Sequence, residues 1–514
     1  MSNTIIIIGA GLAGLSAALQ AAENGCNVKL VSSLPSERAQ SVMAEGGINA
    51  ALNTKDENDS PEEHFTDTIK AACGLADPNA VWGMTQAAPE LVHWLLKLGV
   101  KFNMSGYDDV DLRNFGGQKK KRTAFAQNDT GKQIMTAMID AVRRKEASGM
   151  VERFSHHSFL TLRLCGNICC GCVIRDEYSQ ETVELPGDAV IVATGGMHGL
   201  FGNTTGSLSN TGEVTAELFR LGVPLANGEM IQYHPTTVKC GGKRMLISEA
   251  ARGEGGRLFA MKDGKQWYFM EEKYPELGNL MPRDITAREI WKVNHESEVF
   301  LDMTEISEEI ISNKLSGLAD DCMTYLHKDI RKEPVSVLPG IHYFMGGILV
   351  DEQHRTPIQN LCVAGECCAQ YHGANRLGGN SLLGALYGGR VAAKSACEQA
   401  DVVDLSCATQ IDFPPASQIS EIKQLNKVMQ ETMGVVRNEN TLLNGIQTVQ
   451  ALTGNLPLLG MAVLKSALAR KESRGAHWRE DYPKSNDDDY LKTTVARFDG
   501  KQIQISFVPV PERR

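Results

Sequence analysis

The first two dozen residues constrain the fold of this chain most strongly. Residues 4–8 are an apolar run typical of a buried parallel strand, and an alanine-rich stretch typical of a helix covers residues 15–24. A glycine-rich turn joins the two, which is the order found in dinucleotide-binding folds. Its glycines let the main chain approach a pyrophosphate, whose charge the helix N-terminus stabilises. The residues predicted to contact the dinucleotide here are Gly9, Ala10, Gly11, Leu12, Ala13 and Gly14.

The second predicted strand, residues 28–31, ends at Ser32. The dinucleotide fold commonly places an acidic residue at this position, where it binds the ribose hydroxyls. We predict that Ser32 contacts the cofactor. Because serine replaces the usual acidic residue, the sequence does not decide which residue binds the ribose hydroxyls.

Length and composition exclude several classes of protein. With 514 residues the chain is long enough for about two to four domains. A formal net charge of -10 argues against a nucleic-acid partner. No apolar run reaches the roughly 18 residues that a membrane-spanning helix needs, and residues 5–8 lack the basic leader of a signal peptide. The 13 cysteines are scattered, which suits reduced thiols, so we expect a cytoplasmic protein.

Four of the cysteines, Cys165, Cys169, Cys170 and Cys172, lie close together and raise the question of an iron–sulfur site. The Gly-Asn pair between Cys165 and Cys169 is typical of a hairpin turn joining two strands. The spacing of the four residues also differs from that of iron–sulfur motifs. We therefore predict a hairpin here and no metal site.

Two later strands favour FAD over NAD as the dinucleotide. Residues 190–196 resemble the strand that FAD-dependent enzymes bring back to the nucleotide fold, with Ala193, Thr194 and Gly195 at its end. Residues 361–366 resemble the closing strand of those enzymes, whose acidic residue, here Glu366, meets the ribityl chain of the flavin. The occurrence of all three segments in this order predicts a flavoprotein.

Residues 334–390 are rich in glycine and carry His342, Arg376, Ser381 and Leu382 between short apolar runs. This stretch resembles the flavoprotein subunits of the fumarate reductase and succinate dehydrogenase family, and residues 472–483 resemble the carboxyl-terminal domain of that family. The resemblance implies an α/β FAD-binding domain of the glutathione-reductase-like Rossmann type, an α+β capping domain and a C-terminal helical domain. We expect the FAD-binding domain in residues 1–227 and 340–404, the capping domain in 228–339, and the helical domain and tail in 405–514.

The segment from residue 38 to residue 49 is also similar to the family, with one informative difference. In the membrane-bound complexes a histidine of this segment is covalently bonded to FAD, and Gln40 occupies the matching position. Because glutamine cannot form that bond, we predict dissociable FAD. Glu213 stands where the family usually has an aspartate. The resemblance implies a wider set of cofactor contacts: Gln40, Ser41, Glu45, Gly46, Gly47, Glu213, Glu366, Arg376, Ser381 and Leu382.

The resemblance also implies a substrate with two carboxylates. Such a ligand needs fixed cations and hydrogen-bond donors at both ends. The positions that match the substrate residues of the family place His234 and Ser248 on one carboxylate, and His342 and Arg376 on the other. Phe115 matches a phenylalanine that packs against bound fumarate.

Arg283 matches the arginine that the family uses as a proton donor, and Glu249 and Arg252 match a relay that reprotonates it. Asp284 and Arg288 are spaced four residues apart on a predicted helix, so we expect them to pair with each other. That pairing leaves Arg283 available for chemistry.

These features predict FAD-dependent reduction of fumarate to succinate. The non-covalent flavin favours this direction, because losing the covalent bond should lower the flavin potential. The enzymatic alternative is L-aspartate oxidase, which shares the arginine and the Ser-Glu-Ala-x-Arg-Gly-Glu-Gly segment, although the context of Phe115 and Arg122 differs from it. An alternative of another class is a non-catalytic FAD-binding assembly subunit, which would not need Arg283, Glu249 and Arg252 together.

The sequence shows no iron–sulfur or haem ligands of its own. Electrons are therefore expected from a separate iron–sulfur subunit or a soluble donor. Partner subunits of that kind could hold the protein at the inner face of a membrane.

Overall fold

The computed structural model describes residues 3–107, 109–399, 413 and 418–514. The predicted boundary between residues 404 and 405 lies outside these ranges, and the domain limits stay a prediction. At the centre is a five-stranded parallel sheet. Its strands, in spatial order, are Leu361–Val363, Ala189–Val192, Thr4–Ile8, Asn27–Ser32 and Val151–Ser155.

Two alanine-rich helices pack closely on this sheet, Leu12–Glu23 and Asn380–Gln399. Small residues permit the approach. A Cβ atom at Gly389 would lie 2.2 Å from the carbonyl oxygen of Ala13, and one at Gly14 would lie 1.8 Å from that of Gly9. Neither position tolerates a side chain. Gly14 therefore permits the close packing of the helix Leu12–Glu23 on the turn after the first strand, and Gly389 permits the close packing of the two helices.

Further sheets lie outside the central parallel sheet. The cysteine-rich hairpin predicted from the sequence is confirmed, because Cys165 pairs with Ile168 across a tight turn. The carboxyl-terminal hairpin, by contrast, adds to a sheet formed by strands from the middle of the chain. The additional strands are His157–Cys165, Ile168–Asp176 and Thr182–Pro186; Cys368–Ala369, Gly347–Leu349, Leu225–Ala226, Lys492–Phe498 and Ile503–Pro509; and Ile48–Asn49, Thr123–Ala124 and Leu112–Arg113.

The capping domain has a hydrophobic core of its own, centred on Leu258, Ile290 and Leu301. Its strands form two antiparallel sheets: Lys243–Leu246, Ile231–Cys240 and Leu338–Phe344; and Lys265–Trp267, Arg257–Lys262, Val299–Asp302 and Val335–Ser336. Its helices are Glu249–Gly253, Phe269–Lys273, Arg283–Val293, Glu308–Lys314 and Ser316–Asp321. The long strand Ile231–Cys240 pairs with Leu338–Phe344, which brings two distant parts of the sequence to one place.

Three helices near the carboxyl terminus share a core with the end of the FAD-binding domain: Ile419–Thr432, Glu439–Val449 and Asn455–Ala469. A buried ionic contact follows these helices, because Arg470 donates to Glu229 at 2.7 Å and to Glu472 at 2.8 Å. The remaining helices are Pro61–Ala71, Pro78–Lys97, Thr130–Ala147, Glu213–Arg220 and Asp487–Tyr490.

The cysteines are mostly free thiols, and those of the hairpin at residues 169, 170 and 172 are among them. Cys165 is disulfide-bonded, which departs from the expectation of reduced thiols. Within the described ranges, no group of three or more histidine, cysteine or acidic residues could hold a metal ion. No helix in those ranges is long and apolar enough to cross a membrane.

Candidate active site

A cavity of about 960 Å³ opens at the carboxyl edge of the parallel sheet, and residues of the capping domain form its opposite wall. Ligands bind at this edge in open α/β sheets. Every residue predicted to contact cofactor or substrate lines the cavity, with the exception of Gly14. Of the predicted catalytic residues, Arg283 and Glu249 line the cavity and Arg252 lies behind Glu249.

The turn after the first strand leaves room for a pyrophosphate. Gly9 has a φ of +111°, and a Cβ atom there would lie 2.2 Å from the carbonyl oxygen of Ala193. The helix Leu12–Glu23 begins at Gly11 without a side-chain cap and without an acidic residue in its first turn. The N–H of Leu12 donates to Ser41 Oγ at 3.2 Å. The following amides of the first turn and the positive dipole end can face an anion such as the phosphates of FAD.

Several buried polar atoms on the cavity wall have no hydrogen-bond partner in the described part of the chain. They include Ser32 Oγ, His234 Nε2 and Arg376 Nε. Buried polar groups in folded proteins are almost always hydrogen-bonded. Ser32 ends the second strand, where a ribose would lie, and the other two belong to the predicted substrate set. The unpaired atoms thus fit both a dinucleotide and an anionic ligand.

The segments predicted to surround the flavin also converge on the cavity. Gln40 Oε1 accepts a hydrogen bond from the backbone N–H of Ser207 at 2.6 Å, and Glu366 Oε1 accepts one from the N–H of Phe344 at 3.0 Å. Ser381 and Leu382 belong to the first turn of the helix Asn380–Gln399, whose free amides can act as donors. These contacts hold the segments but leave their cavity faces open to a cofactor.

Glu213 begins the helix Glu213–Arg220 and lines the cavity. Burial, followed by the charge of Glu217, raises the pKa of Glu213 above its ordinary value. The contact of Glu213 with the cofactor stays a prediction.

The two predicted substrate histidines lie on neighbouring antiparallel strands of the capping sheet. The ring centroids of His234 and His342 are 5.1 Å apart. Burial, and next the charge of Arg283, lowers the pKa of each histidine well below its ordinary value. Both imidazoles are therefore neutral near pH 7, and the positive charge that faces an anion comes from the arginines.

Arg376 is almost completely buried and lies over the ring of Tyr343, with 4.3 Å between the guanidinium carbon and the ring centroid. Burial, and next the charge of Arg283, lowers the pKa of Arg376 to about 9. It is thus still protonated near pH 7, and its Nε has no protein partner among the described residues. A carboxylate in the cavity would satisfy this cation.

Gln232, which the sequence interpretation did not single out, connects the two arginines. Its Oε1 accepts a hydrogen bond from Arg283 Nη1 at 3.1 Å, and its Nε2 donates to the carbonyl oxygen of Arg376 at 2.8 Å. Gln232 lies two residues before His234 on the same strand, and residues at this spacing share a face of the sheet. This spacing could have identified Gln232 from the sequence.

Arg283, Glu249 and Arg252 form a buried chain of charges. Arg283 donates to Glu249 Oε2 through Nε at 2.8 Å and through Nη2 at 2.5 Å. The other carboxylate oxygen, Oε1, accepts the N–H of Gly116 at 3.0 Å and lies 3.4 Å from Arg252 Nη2. Burial raises the pKa of Glu249, but the two arginines and these hydrogen bonds outweigh it and hold the pKa below its ordinary value.

Ser248 caps the short helix that carries Glu249 and Arg252, since its hydroxyl accepts the N–H of Ala250 at 3.4 Å. Phe115 is buried against Gly46, where a Cβ atom would lie 2.9 Å from the phenylalanine ring. Phe115 therefore lies beside a segment predicted to bind the cofactor, and Ser248 also lines the cavity.

The expected ion pair between Asp284 and Arg288 is not among the ion pairs of the described residues. Arg288 lies instead over the ring of Trp478, 4.0 Å from its centroid. The availability of Arg283 therefore does not follow from pairing between its neighbours.

Comparison with known proteins identifies the family. Residues 4–382 match the family described as "FAD binding domain", and residues 452–513 match that described as "Fumarate reductase flavoprotein C-term". The succinate dehydrogenase flavoprotein subunit of Bacillus subtilis (strain 168) is 38% identical over 576 aligned residues, which cover 100% of this chain and 98% of the relative. The chain belongs to the succinate dehydrogenase and fumarate reductase flavoprotein family.

Other relatives agree with this assignment. The 8-methylmenaquinol:fumarate reductase flavoprotein subunit of Wolinella succinogenes is 32% identical, with 100% of this chain and 92% of the relative covered. A solved quinol fumarate reductase of E. coli superposes with a TM-score of 0.90 at 27% identity, covering 99% of this chain and 97% of that one. The predicted family, three-part fold, FAD cofactor and oxidoreductase class are confirmed.

Proposed function

We propose that this member of the family interconverts fumarate and succinate and favours fumarate reduction. The observation that carries the proposal is that one cavity holds Arg283, Arg376, His234 and His342 beside the segments predicted to bind the flavin. A dicarboxylate is the ligand class that satisfies two cations and two imidazoles together.

The two ends of the substrate would meet different groups. Ser248 and His234 would hold one carboxylate, while His342 and Arg376 would hold the other. The His234 Nε2 and Arg376 Nε atoms, which have no partner in the described residues, support this arrangement. Holding one carboxylate out of the plane of the double bond would make the alkene electrophilic. FAD, when bound, supplies hydride-transfer chemistry through its N5 position.

Arg283 would donate the proton that completes the reduction. Arginine is ordinarily a very weak acid, with a pKa above about 12. A carbon that gains carbanion character is far more basic, so a proton transfer from the guanidinium is favourable at that moment. Gln232 and Glu249 both accept hydrogen bonds from Arg283, which fixes the orientation of the donor.

Glu249 and Arg252 would return a proton to Arg283 from outside the cavity. Glu249 contacts both arginines, and Arg252 continues to the carbonyl oxygen of Asn279 through a 2.6 Å hydrogen bond. The relay therefore leads away from the substrate rather than across it.

Two further parts of the proposal concern the cofactor and its electron supply. Gln40 supports non-covalent FAD, because its amide cannot form the bond that a histidine forms in related complexes.

Two relatives are named as flavoprotein subunits, which supports a separate electron-transfer partner for this chain as well. An iron–sulfur subunit or a soluble reductant would fill that role.

A dye assay on the purified protein tests the proposal. We expect fumarate-dependent oxidation of a reduced viologen dye, with succinate-dependent dye reduction as the slower reverse reaction. Aspartate should yield no peroxide. Peroxide formed from aspartate without activity on fumarate would instead establish L-aspartate oxidase.

A further inference from the structure

The loop from Thr204 to Ser207 touches both halves of the active site. The backbone N–H of Thr205 donates to the carbonyl oxygen of Ile341 at 3.0 Å, which ties the loop to the strand of His342. At the other end, the N–H of Ser207 donates to Gln40 at 2.6 Å. The loop is therefore fixed between the predicted flavin segment and the substrate histidine.

Thr204 and Gly206 fix the conformation of the same loop. Thr204 Oγ1 lies 3.0 Å from His198 Nδ1 and accepts the N–H of Gly206 at 3.1 Å. A Cβ atom at Gly206 would lie 2.2 Å from the ring of His198, so only glycine fits. These contacts leave the intervening Thr205 little freedom to move.

The hydroxyl of Thr205 lies 2.8 Å from His342 Nδ1. Among the described residues, its other acceptor within hydrogen-bond reach is the carbonyl oxygen of Ile341 at 3.4 Å, which already receives the N–H of Thr205. Two arrangements fit these distances: the hydroxyl donates to Nδ1, or Nδ1–H donates to the hydroxyl, which then donates to Ile341. The 3.4 Å separation from a carbonyl oxygen that already accepts a backbone N–H favours the first arrangement. A neutral imidazole that accepts at Nδ1 carries its single proton on Nε2.

The position of that proton decides what His342 can do with an anion. With the proton on Nε2, the ring can donate to a carboxylate while Nδ1 accepts from Thr205. With the proton on Nδ1, a lone pair on Nε2 would face the carboxylate and repel it. The hydrogen bond made by one ring nitrogen thus selects the role of the other.

We propose that Thr205 is a positioning residue that keeps the proton of neutral His342 on Nε2, so that this nitrogen donates to a substrate carboxylate. The inference rests on the proposed function, because it assigns the donor for one end of the dicarboxylate. Thr205 itself need not touch the substrate.

The kinetic test compares Thr205→Val, which has nearly the same shape and no hydroxyl, with Thr205→Ser, which keeps the hydroxyl. In the FAD-bound full-length protein, we expect Thr205→Val to weaken binding of malonate, a non-reacting dicarboxylate, by about 10- to 100-fold. The value of kcat/KM for fumarate should fall by a similar factor, and Thr205→Ser should restore most of both. Equal losses in the two variants would overturn the proposal.

A double-mutant cycle shows whether Thr205 acts through His342. In a His342→Phe background, Thr205→Val should cause almost no further loss of malonate affinity, which is read from the flavin absorbance. A full additional loss in that background would show that Thr205 acts by another route and would contradict the proposal.

A tautomer measurement separates this inference from the proposed function. Nitrogen-15 NMR of histidine-labelled protein distinguishes the two neutral tautomers, and His342→Phe identifies the signal among the 12 histidines. We expect the Nε2–H form in the unmodified protein and in Thr205→Ser, and its loss in Thr205→Val. An Nδ1–H form in the unmodified protein would overturn the inference. A protein inactive on fumarate that shows the Nε2–H form would refute only the proposed function.

Discussion

Arg283 and Glu249 are joined by two hydrogen bonds to one carboxylate oxygen, with distances of 2.8 and 2.5 Å. The guanidinium is thereby held with one edge towards the acid, while Nη1 donates to Gln232 at 3.1 Å. Charge-assisted hydrogen bonds of this type are strong and directional. The pair therefore fixes the orientation of the proposed proton donor before a substrate arrives.

Replacing Arg283 should separate chemistry from cofactor binding. In Arg283→Gln we expect turnover of fumarate to fall by at least about 10²- to 10⁴-fold, the range typical of a lost general acid. FAD content should stay near that of the unmodified protein, because the substitution leaves unchanged the segments that are predicted to bind the pyrophosphate and the ribose. Dye-linked rates and the flavin-to-protein absorbance ratio measure the two effects. Turnover within tenfold of the original would remove Arg283 from this role.

Glu249→Gln should affect turnover and substrate binding differently. The amide oxygen can still accept the N–H of Gly116, but the charge that pairs with both arginines is lost. Proton return to Arg283 should slow, so kcat should fall by about tenfold or more. Dicarboxylate affinity should hold or rise, because Arg283 then has no competing carboxylate. A matching loss of affinity would point to a structural collapse instead.

The parts of the fold that follow from local sequence could be predicted. The strand, glycine turn and helix at residues 4–24 lie in one continuous segment, and short-range sterics define their geometry. The hairpin at Cys165 is equally local. Arg122 shows where such reasoning fails. It ends a run of four basic residues, 119–122, which is a pattern typical of a solvated loop, yet its side chain is completely buried. Its two acidic partners are more than 50 residues away, and no local pattern reveals them.

The residues of the candidate site show the same contrast between local sequence and long-range contacts. Histidine and arginine positions such as His342 and Arg376 could be found, because they stand in segments that resemble a known family. Thr205 and Gln232 were missed because they act through contacts with those residues across strands and loops. Threonine and glutamine are common in many structural settings, so their types alone carry little information about a site.

Removing the cation of the buried ionic cluster around Arg122 should strongly destabilise the fold. Arg122 contacts Asp59 at 2.8 Å and Asp67 at 3.0 Å, and all three side chains are almost fully excluded from solvent. Arg122→Ala would leave two buried carboxylates without their cation, so we expect a loss of about 3–5 kcal/mol in unfolding free energy. Denaturant titration measures it.

Arg143→Ala is the matched control for that measurement. Arg143 pairs with Glu37 at 2.6 Å, but both side chains are more than half exposed. A surface pair contributes about 0–1 kcal/mol, so this variant should unfold almost like the original protein. If Arg122→Ala and Arg143→Ala lost similar unfolding free energy, burial of the Arg122 cluster would not be the cause of its larger expected effect.

Flavin attachment can be tested without any variant. Because Gln40 occupies the position of the linking histidine, acid precipitation should release the FAD into the supernatant. Flavin absorbance in the supernatant and in the washed pellet measures the two fractions. Yellow colour that stays with the precipitated protein would show a covalent bond at another residue.

Glu45 should make stability depend on pH in an unusual direction. Burial above all, followed by the charge of Asp321, raises the pKa of Glu45 from 4.5 to about 8. Between these two values the folded protein binds a proton that the unfolded chain has lost. The contribution of Glu45 to the free energy of unfolding should therefore decrease as pH rises from 4.5 towards 8, and it should level off above pH 8. Most carboxylates with native partners have the opposite effect.

The contribution of Glu45 can be isolated by comparing slopes. Glu45→Gln keeps the shape and removes the titration, so its unfolding free energy should fall less than that of the original protein between pH 5 and pH 8, a window within the shift of Glu45. Glu181→Gln, at an exposed position, should leave the slope unchanged. Denaturant titrations at several pH values in buffers of equal ionic strength give the three slopes. A Glu45→Gln slope equal to that of the original protein would mean that Glu45 is ionised in the folded state, with its charge stabilised inside the cavity.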